Sequence, residues 1–350
     1  MGARRLAATC GRLPTQWRRL ILQPASTIHG RHVSEPVPIP NARLVGRLSI
    51  AFILDLVKVG RGGRDLLDAL ILLAIVQANI APLDRDSDGQ RAYAAYDDPP
   101  PDNVRRPVSM NAIAHSLQLP YETVRRRVTQ MATLGFCEMA PRGVIVRRGV
   151  LHSSQHHAMM SESYELVRRL YLHLRQLGEL TKLPAGGVWT GDPNRPPVRL
   201  VARFSSDYVL RLIDTLTSAL GDLSAGLIFL SVIRANTENF PDHERGTLDP
   251  GPPGVVSDSR RQPVRVATLS ARLGIPQETV RRHVAQLIKD ERCERVAGGL
   301  IVPARVLGRP QAAQMLRDNY ASLQRMYARL GQFGILTEWE REGAQAIARP

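Results

Sequence analysis

Eleven residues carry the one chemistry that this sequence repeats. Pro120-Tyr-Glu-Thr-Val-Arg-Arg-Arg-Val-Thr-Gln130 returns 156 residues later as Pro276-Gln-Glu-Thr-Val-Arg-Arg-His-Val-Ala-Gln286, identical at eight of eleven positions. A guanidinium is planar, permanently charged and carries a fork of N–H donors, a geometry that grips phosphate oxygens and the major-groove edge of guanine. At about 100° per residue, Val124, Val128 and Met131 share one helical face, as do Val280, Val284 and Leu287. Arg126 and Arg282 point away from that face, with Arg125 and Arg281 on its flank. An apolar back and an arginine front suit a DNA groove. The competing reading is a solvated basic face, and recurrence of the same arginines weighs against it.

Other reactive side chains lack a workable spacing. Carboxylates cluster at Asp84–Asp88 and Asp97–Asp102, without the Gly and Glu offsets of a calcium loop. His152, His156 and His157 lie near a helix start, where adjacent rings diverge by about 100°, so no metal site is expected. Gly60-Arg-Gly-Gly63 lacks the Lys-Ser/Thr of a phosphate-binding loop and reads as a turn. Cys137 and Cys293 occupy equivalent positions of the two copies and read as small packing residues; Cys10 lies in the N-terminal tail. With no C-x-x-C pair, a reducing cytoplasm is expected. No nucleophile–base set appears, so neither an enzyme nor a cofactor is expected.

The whole chain bounds the partner. Forty-seven Lys+Arg against 32 Asp+Glu give a net charge of +15, which favours a polyanion. Aromatics make up only 5 %, too few for a base-stacking single-strand binder. The longest apolar candidate, Leu66–Ile80, is shorter than a span of about 20 residues and contains Asp68, so no membrane is expected. Residues 1–34 hold six arginines and no acid. They read as a basic arm, a transit-like segment or an upstream start included in error, and they lack the apolar run of an export signal.

The elements that must position the arginines follow from periodicity and punctuation. Leu44–Val57 and Leu66–Asn79 read as helices, the second apolar nearly all round and buried. Residues 80–107 read as an acidic, proline-rich loop facing water. Ser109 can cap a helix over Asn111–Leu117, and Pro120 opens the arginine helix. Phe136–Met139 and Val144–Arg147 flank a turn with Arg142 at its tip, a β-hairpin. Residues 155–179 form a long helix. The plan repeats at an offset near 156 over about 140 residues. The expected fold is mainly α with small β-hairpin wings: two tandem winged helix-turn-helix domains, each with extra flanking helices. The expected segments are a basic tail (1–40), repeat 1 (41–180), a linker (181–197), repeat 2 (198–336, with loop 237–262) and a tail (337–350).

Ile113-Ala-x-x-Leu117 followed by Leu119-Pro-x-x-Thr123-Val-Arg125, with a hairpin after the second helix, resembles bacterial winged helix-turn-helix transcriptional regulators of the GntR and MarR classes. The likeness covers residues 105–147 and 261–303. It implies that Tyr121 and Arg125 in copy one, and Gln277 and Arg281 in copy two, meet DNA, with Thr123 and Thr279 at phosphate. Neither class normally carries two such domains in one chain. The expected function is sequence-specific binding of double-stranded DNA by a nucleoid-associated regulator, a covalent pseudo-dimer reading two half-sites. Arg126, Arg127, Arg142, Arg282 and His283 complete the expected contact set, a homo-oligomer stays open, and any small-molecule effector is unidentified. The alternatives are a tandem winged-helix scaffold binding another protein, as in chromosome-condensation accessory subunits, or a plasmid replication initiator.

Overall fold

Apolar residues at helical spacing become helices here, and the helices come in two matching sets. The computed structural model describes residues 41–183, 186–192, 194–240 and 255–348, with side chains as far as 343. The expected basic tail and residues 241–254 of the second loop lie outside the described residues. The first set is α1 (Ala42–Arg61), α2 (Leu66–Ile80), α3 (Ser87–Ala92), α4 (Met110–Ser116), α5 (Tyr121–Thr133), β1 (Cys137–Ala140), β2 (Gly143–Val146), α6 (Arg148–Leu151) and α7 (Ser154–Gln176). The second is α8 (Val198–Leu220), α9 (Leu223–Thr237), α10 (Val266–Leu273), α11 (Gln277–Lys289), β3 (Glu294–Val296), β4 (Gly299–Ile301), α12 (Ala304–Leu307), α13 (Pro310–Gln332) and α14 (Ile335–Ala348). The described chain is mainly helical with two small antiparallel hairpins.

Local chemistry sets the boundaries. Asp65 caps α2 by accepting from the Leu67 and Asp68 amides, and Asp222 caps α9 by accepting from Ala225. Ser109 accepts from the Ala112 amide and starts α4 as its sequence predicts. Between α4 and α5 the backbone turns through the left-handed region at Gln118 (φ 53°), and the matching residue of repeat 2 is Gly274 (φ 59°). Each hairpin gains a third extended piece. Val108 exchanges backbone bonds of 3.0 and 2.8 Å with Val144, and Val264 exchanges bonds of 3.0 and 2.9 Å with Leu300. This close approach explains Gly143 and Gly299, where a Cβ would collide with the carbonyls of Val108 and Val264.

One buried amide ties each hairpin to the helices. Asn79, at the end of α2, donates to the carbonyls of Arg106 (2.8 Å) and Val144 (3.1 Å) and accepts from the Val146 amide (3.0 Å). Asn236 makes the same three bonds to Gln262 (2.7 Å), Leu300 (3.1 Å) and Val302 (2.9 Å). Both side chains are inaccessible to water, so these bonds satisfy groups that would otherwise be buried without partners.

The repeats interlock. α1 packs on α7 of its own repeat and on α9 of the other, while α8 packs on α13 and on both α2 and α7. Arg61 at the end of α1 donates to the carbonyls of Leu273 and Gly274, in the turn before α11. Reciprocally, Gln118 in the turn before α5 donates to Asp214 of α8 at 2.5 Å. Arg234 pairs with Asp55 at 2.7 Å, and Gln77 donates to the Arg203 carbonyl at 2.7 Å. Residues 181–197 therefore separate two sequence repeats that pack as one body.

Three expectations are corrected. Residues 80–107 are packed: a 3-10 turn over Ala81–Arg85 and α3 bring Leu83, Ala94, Pro99 and Pro100 inward, and Arg105 is buried with Asp102 as its partner. The segment reads as solvated because its average composition is polar, yet these four apolar residues are buried. Part of the supposed linker is also packed, since the Gly187 amide donates to the Gly331 carbonyl at 2.8 Å. Residues 335–348 form α14, whose fully buried Trp339 donates to the Tyr164 hydroxyl at 2.6 Å. The helical stretch over Leu66–Arg85 (α2 with its 3-10 extension) has mean hydropathy 2.0 and is long and apolar enough to cross a membrane by length and composition alone, a test that the core helix of a soluble protein also passes.

Candidate nucleic-acid interface

Val124, Val128 and Met131 bury the back of α5 against α2, α4 and β1; Val280, Val284 and Leu287 do the same for α11. The back of each helix is thus fixed by apolar burial, and its front faces solvent. Tyr121, Arg125 and Arg126 are exposed on α5, and Gln277, Arg281 and Arg282 on α11; Thr123 and Thr279 are half-buried in the first turn.

The arginines fall into three classes by what they touch. Arg125 pairs with Glu122 at 2.8 Å and Arg281 with Glu278 at 3.2 Å, each one turn away on the same helix. The hydrogen bond and charge of Glu122 push the Arg125 pKa further up. Exposed pairs of this kind contribute little and release their guanidinium readily to a phosphate. Arg126 and Arg282 have no acidic partner among the described residues and stand ready to donate. Arg142 is exposed at the hairpin tip, but repeat 2 has Gly298 there, so the basic tip belongs to repeat 1 alone.

Arg127 and His283 form the third class and correct the sequence reading. Arg127 lies 2.7 Å from both Asp65 and Asp68, at the start of α2. Burial disfavours its charge, but the bond to Asp68 and the two nearby carboxylates outweigh that and raise its pKa. His283 Nδ1 lies 3.3 Å from Asp222, the cap of α9. Both side chains therefore brace the arginine helix against the N-terminus of the preceding apolar helix. Their partners stand about 60 residues upstream in sequence, which is why helical phase alone sends them to the wrong face.

Comparison with known protein families, curated proteins and solved structures returns no match. The two copies can, however, be measured against each other. Cys137 and Cys293 are both buried at matching positions, and burial pushes their thiols up to about 11 and about 12, as inert packing groups. Among the described residues no cluster of His, Cys, Asp or Glu could hold a metal, and His157 instead stacks on Tyr96 with centroids 3.9 Å apart. Sequence reasoning missed the paired Asn79/Asn236 and the buried Arg105/Arg261, which donate to the Val146 and Val256 carbonyls at 2.7 Å. Their signal was available: a polar residue kept through duplication is a candidate for a shared buried bond.

Proposed function

We propose that this protein is a sequence-specific, double-stranded-DNA-binding transcriptional regulator of a bacterial cytoplasm, in which two winged helix-turn-helix units form a covalent pseudo-dimer. One observation carries the reading: exposed arginines lie over a buried aliphatic back, at the same positions, in both copies. Helix, turn, helix and hairpin follow in the order that lets the second helix enter a major groove while the hairpin lies beside the backbone. The net charge of +15 supplies attraction to a polyanion. Tyr121 and Gln277 lead the two arginine helices, so the half-sites differ. Glutamine pairs in bidentate fashion with adenine, whereas tyrosine offers one hydroxyl and a ring.

Binding to duplex DNA across a salt series tests this. Log K falls against log salt with a slope of about −0.9 per phosphate contact, and several contacts per copy bring it to roughly −6 or steeper. Arg126→Ala with Arg282→Ala makes the slope shallower by about 2 while leaving stability within about 0.5 kcal/mol. A second reading, the tandem scaffold, is favoured by Met139 (55 % exposed) and Val296 (37 % exposed) on the two hairpins. Absence of duplex binding at low salt would select it.

A further inference from the structure

α2 is too apolar for the covering it receives. Leu72, Leu73 and Val76 are only half-buried, whereas the matching Phe229, Leu230 and Ile233 of α9 are buried. The uncovered face of α2 lines a half-enclosed cavity of about 200 Å³, whose apolar wall includes Leu66, Leu73, Val76, Met159, Val209 and Ile213. An apolar cavity of about 150 Å³ already admits a benzene-sized guest.

The polar side of the cavity has one sign of charge. Arg61, Arg64, Arg199, Arg203 and His156 line it, and no Asp or Glu does. Arg203 is answered by Asp84 at 3.3 Å, just outside, and Arg61 by carbonyls of repeat 2. Arg64 is held by a carbonyl at 3.4 Å and by stacking over Phe136 at 4.6 Å; its Nε is buried without a hydrogen-bond partner. Burial lowers the Arg64 pKa, and it lowers Arg199 to about 10. Burial, with Arg199, Arg64, His152 and His157 all adding positive potential, drives His156 down to about 4, so its imidazole is neutral. Gln90, 4 % exposed, turns an unpartnered amide oxygen toward the same space. An amide can present either end to a guest.

A wider polar depression adjoins the cavity and shares Arg64, Val150 and Gln155 with it; Arg105, Arg147 and Arg148 line this depression together with Asp102 and Glu138. The pseudo-symmetric place keeps Arg43 and Arg47 at the positions of Arg199 and Arg203 but has Gly221 in place of Arg64 and Ala312 in place of His156.

We propose that the cleft between α1, α2, α7 and α8 binds a small amphipathic anion, a carboxylate on a short aliphatic body, with its head at Arg64, His156 and Arg199. The apolar wall takes the chain by the hydrophobic effect. At the cationic end Arg199 already donates to the Tyr96 and Leu151 carbonyls at 2.8 Å and lies near Asp97 and Asp98, so its remaining N–H groups and those of Arg64 supply the charge-assisted hydrogen bonds. The site does not depend on the DNA-binding reading.

Titration calorimetry on the full chain near neutral pH, with octanoate, 1-octanol and octylammonium as probes, decides the matter. Octanoate binds one molecule per chain, octanol binds at least about tenfold more weakly, and octylammonium does not bind. Arg64→Gln and, as a second variant, His156→Gln each weaken octanoate by about tenfold while the melt stays cooperative. Val76→Trp, which fills the cavity, abolishes binding. In the wild type, bound octanoate raises the His156 pKa, read by NMR titration of the ring. A cooperatively folded chain that takes up no octanoate, or one that binds octylammonium or octanol as well, overturns the proposal. So does octanoate binding that survives Val76→Trp.

Discussion

α2 and α9 stand at the same place in their repeats, and each ends in the same buried asparagine. α9 is enclosed along its middle from Ala225 to Ile233 by α1, α8, α10 and α11. α2 buries Leu70, Ile71, Ala74 and Ile75 but leaves Leu72, Leu73 and Val76 at a cavity. The bonds at the helix ends are shared, while the packing along the flank differs. Duplication has therefore kept what fixes the hairpin and the arginine helix, and has let the apolar face of one copy become a cleft.

The largest effect that sharpens this comparison is on packing. Phe229→Ala removes a buried ring and costs about 3–5 kcal/mol in urea unfolding. The matching Leu72→Ala, at the cavity wall, costs about 1 kcal/mol because less of its surface is covered. Equal losses would break the distinction between a filled and an open flank.

Acid provides the next test. His156 has a folded pKa of about 4 against an ordinary 6.5, so the unfolded chain binds more protons between those values. Its contribution is complete above pH 6.5 and is lost as pH falls toward 4, up to about 3 kcal/mol. His156→Asn flattens the acid limb of the stability curve, measured as urea midpoints across that window. Repeat 2, with Ala312 at this position, contributes nothing comparable.

The smallest effect concerns backbone. Gly135 and Glu291 occupy equivalent positions, with φ of 82° and 55°. A non-glycine residue is strained there, so Glu291→Gly stabilises by about 0.5–1 kcal/mol after the entropy cost of the glycine, visible as a higher melting temperature. No gain would mean that the turn relaxes its strain elsewhere.

The sequence discloses the parts whose causes are local. Val124 and Val280 with their one-turn neighbours mark the buried backs, Ser109 marks a cap, and the 156-residue offset marks the duplication. Long-range causes escape it. Arg127 looks like part of a basic front until Asp65 arrives beside it, 62 positions away. Asn79 looks like an ordinary helix end until two extended segments close on it. On α7 the residues Met159, Leu166, Leu170, Leu174 and Leu177 stand at helical spacing, but only Leu170 and Leu174 of them are buried. The buried face runs through Met160, Tyr164, Val167, Leu170, Tyr171 and Leu174, because tyrosines join it and α14 covers it. Residues 80–107 mislead for a simpler reason: bulk polarity hides four inward-facing residues.

The crossed helices have a consequence for how such a chain can change. In an assembly of two identical subunits every substitution appears twice, and one that suits only one side is penalised on the other. Here α1 is held by α9 and α8 by α2, yet one chain encodes both halves, so each side can vary alone. Gln118 faces Gly274, Gly135 faces Glu291, Arg127 faces His283 and Arg64 faces Gly221 across the pseudo-symmetry, and in each pair only one copy carries the cost or the new chemistry. The same interlock forbids independence in the other direction. A half-chain severed between 181 and 197 would expose the apolar faces that its twin now covers, and could bury them again only on a second molecule.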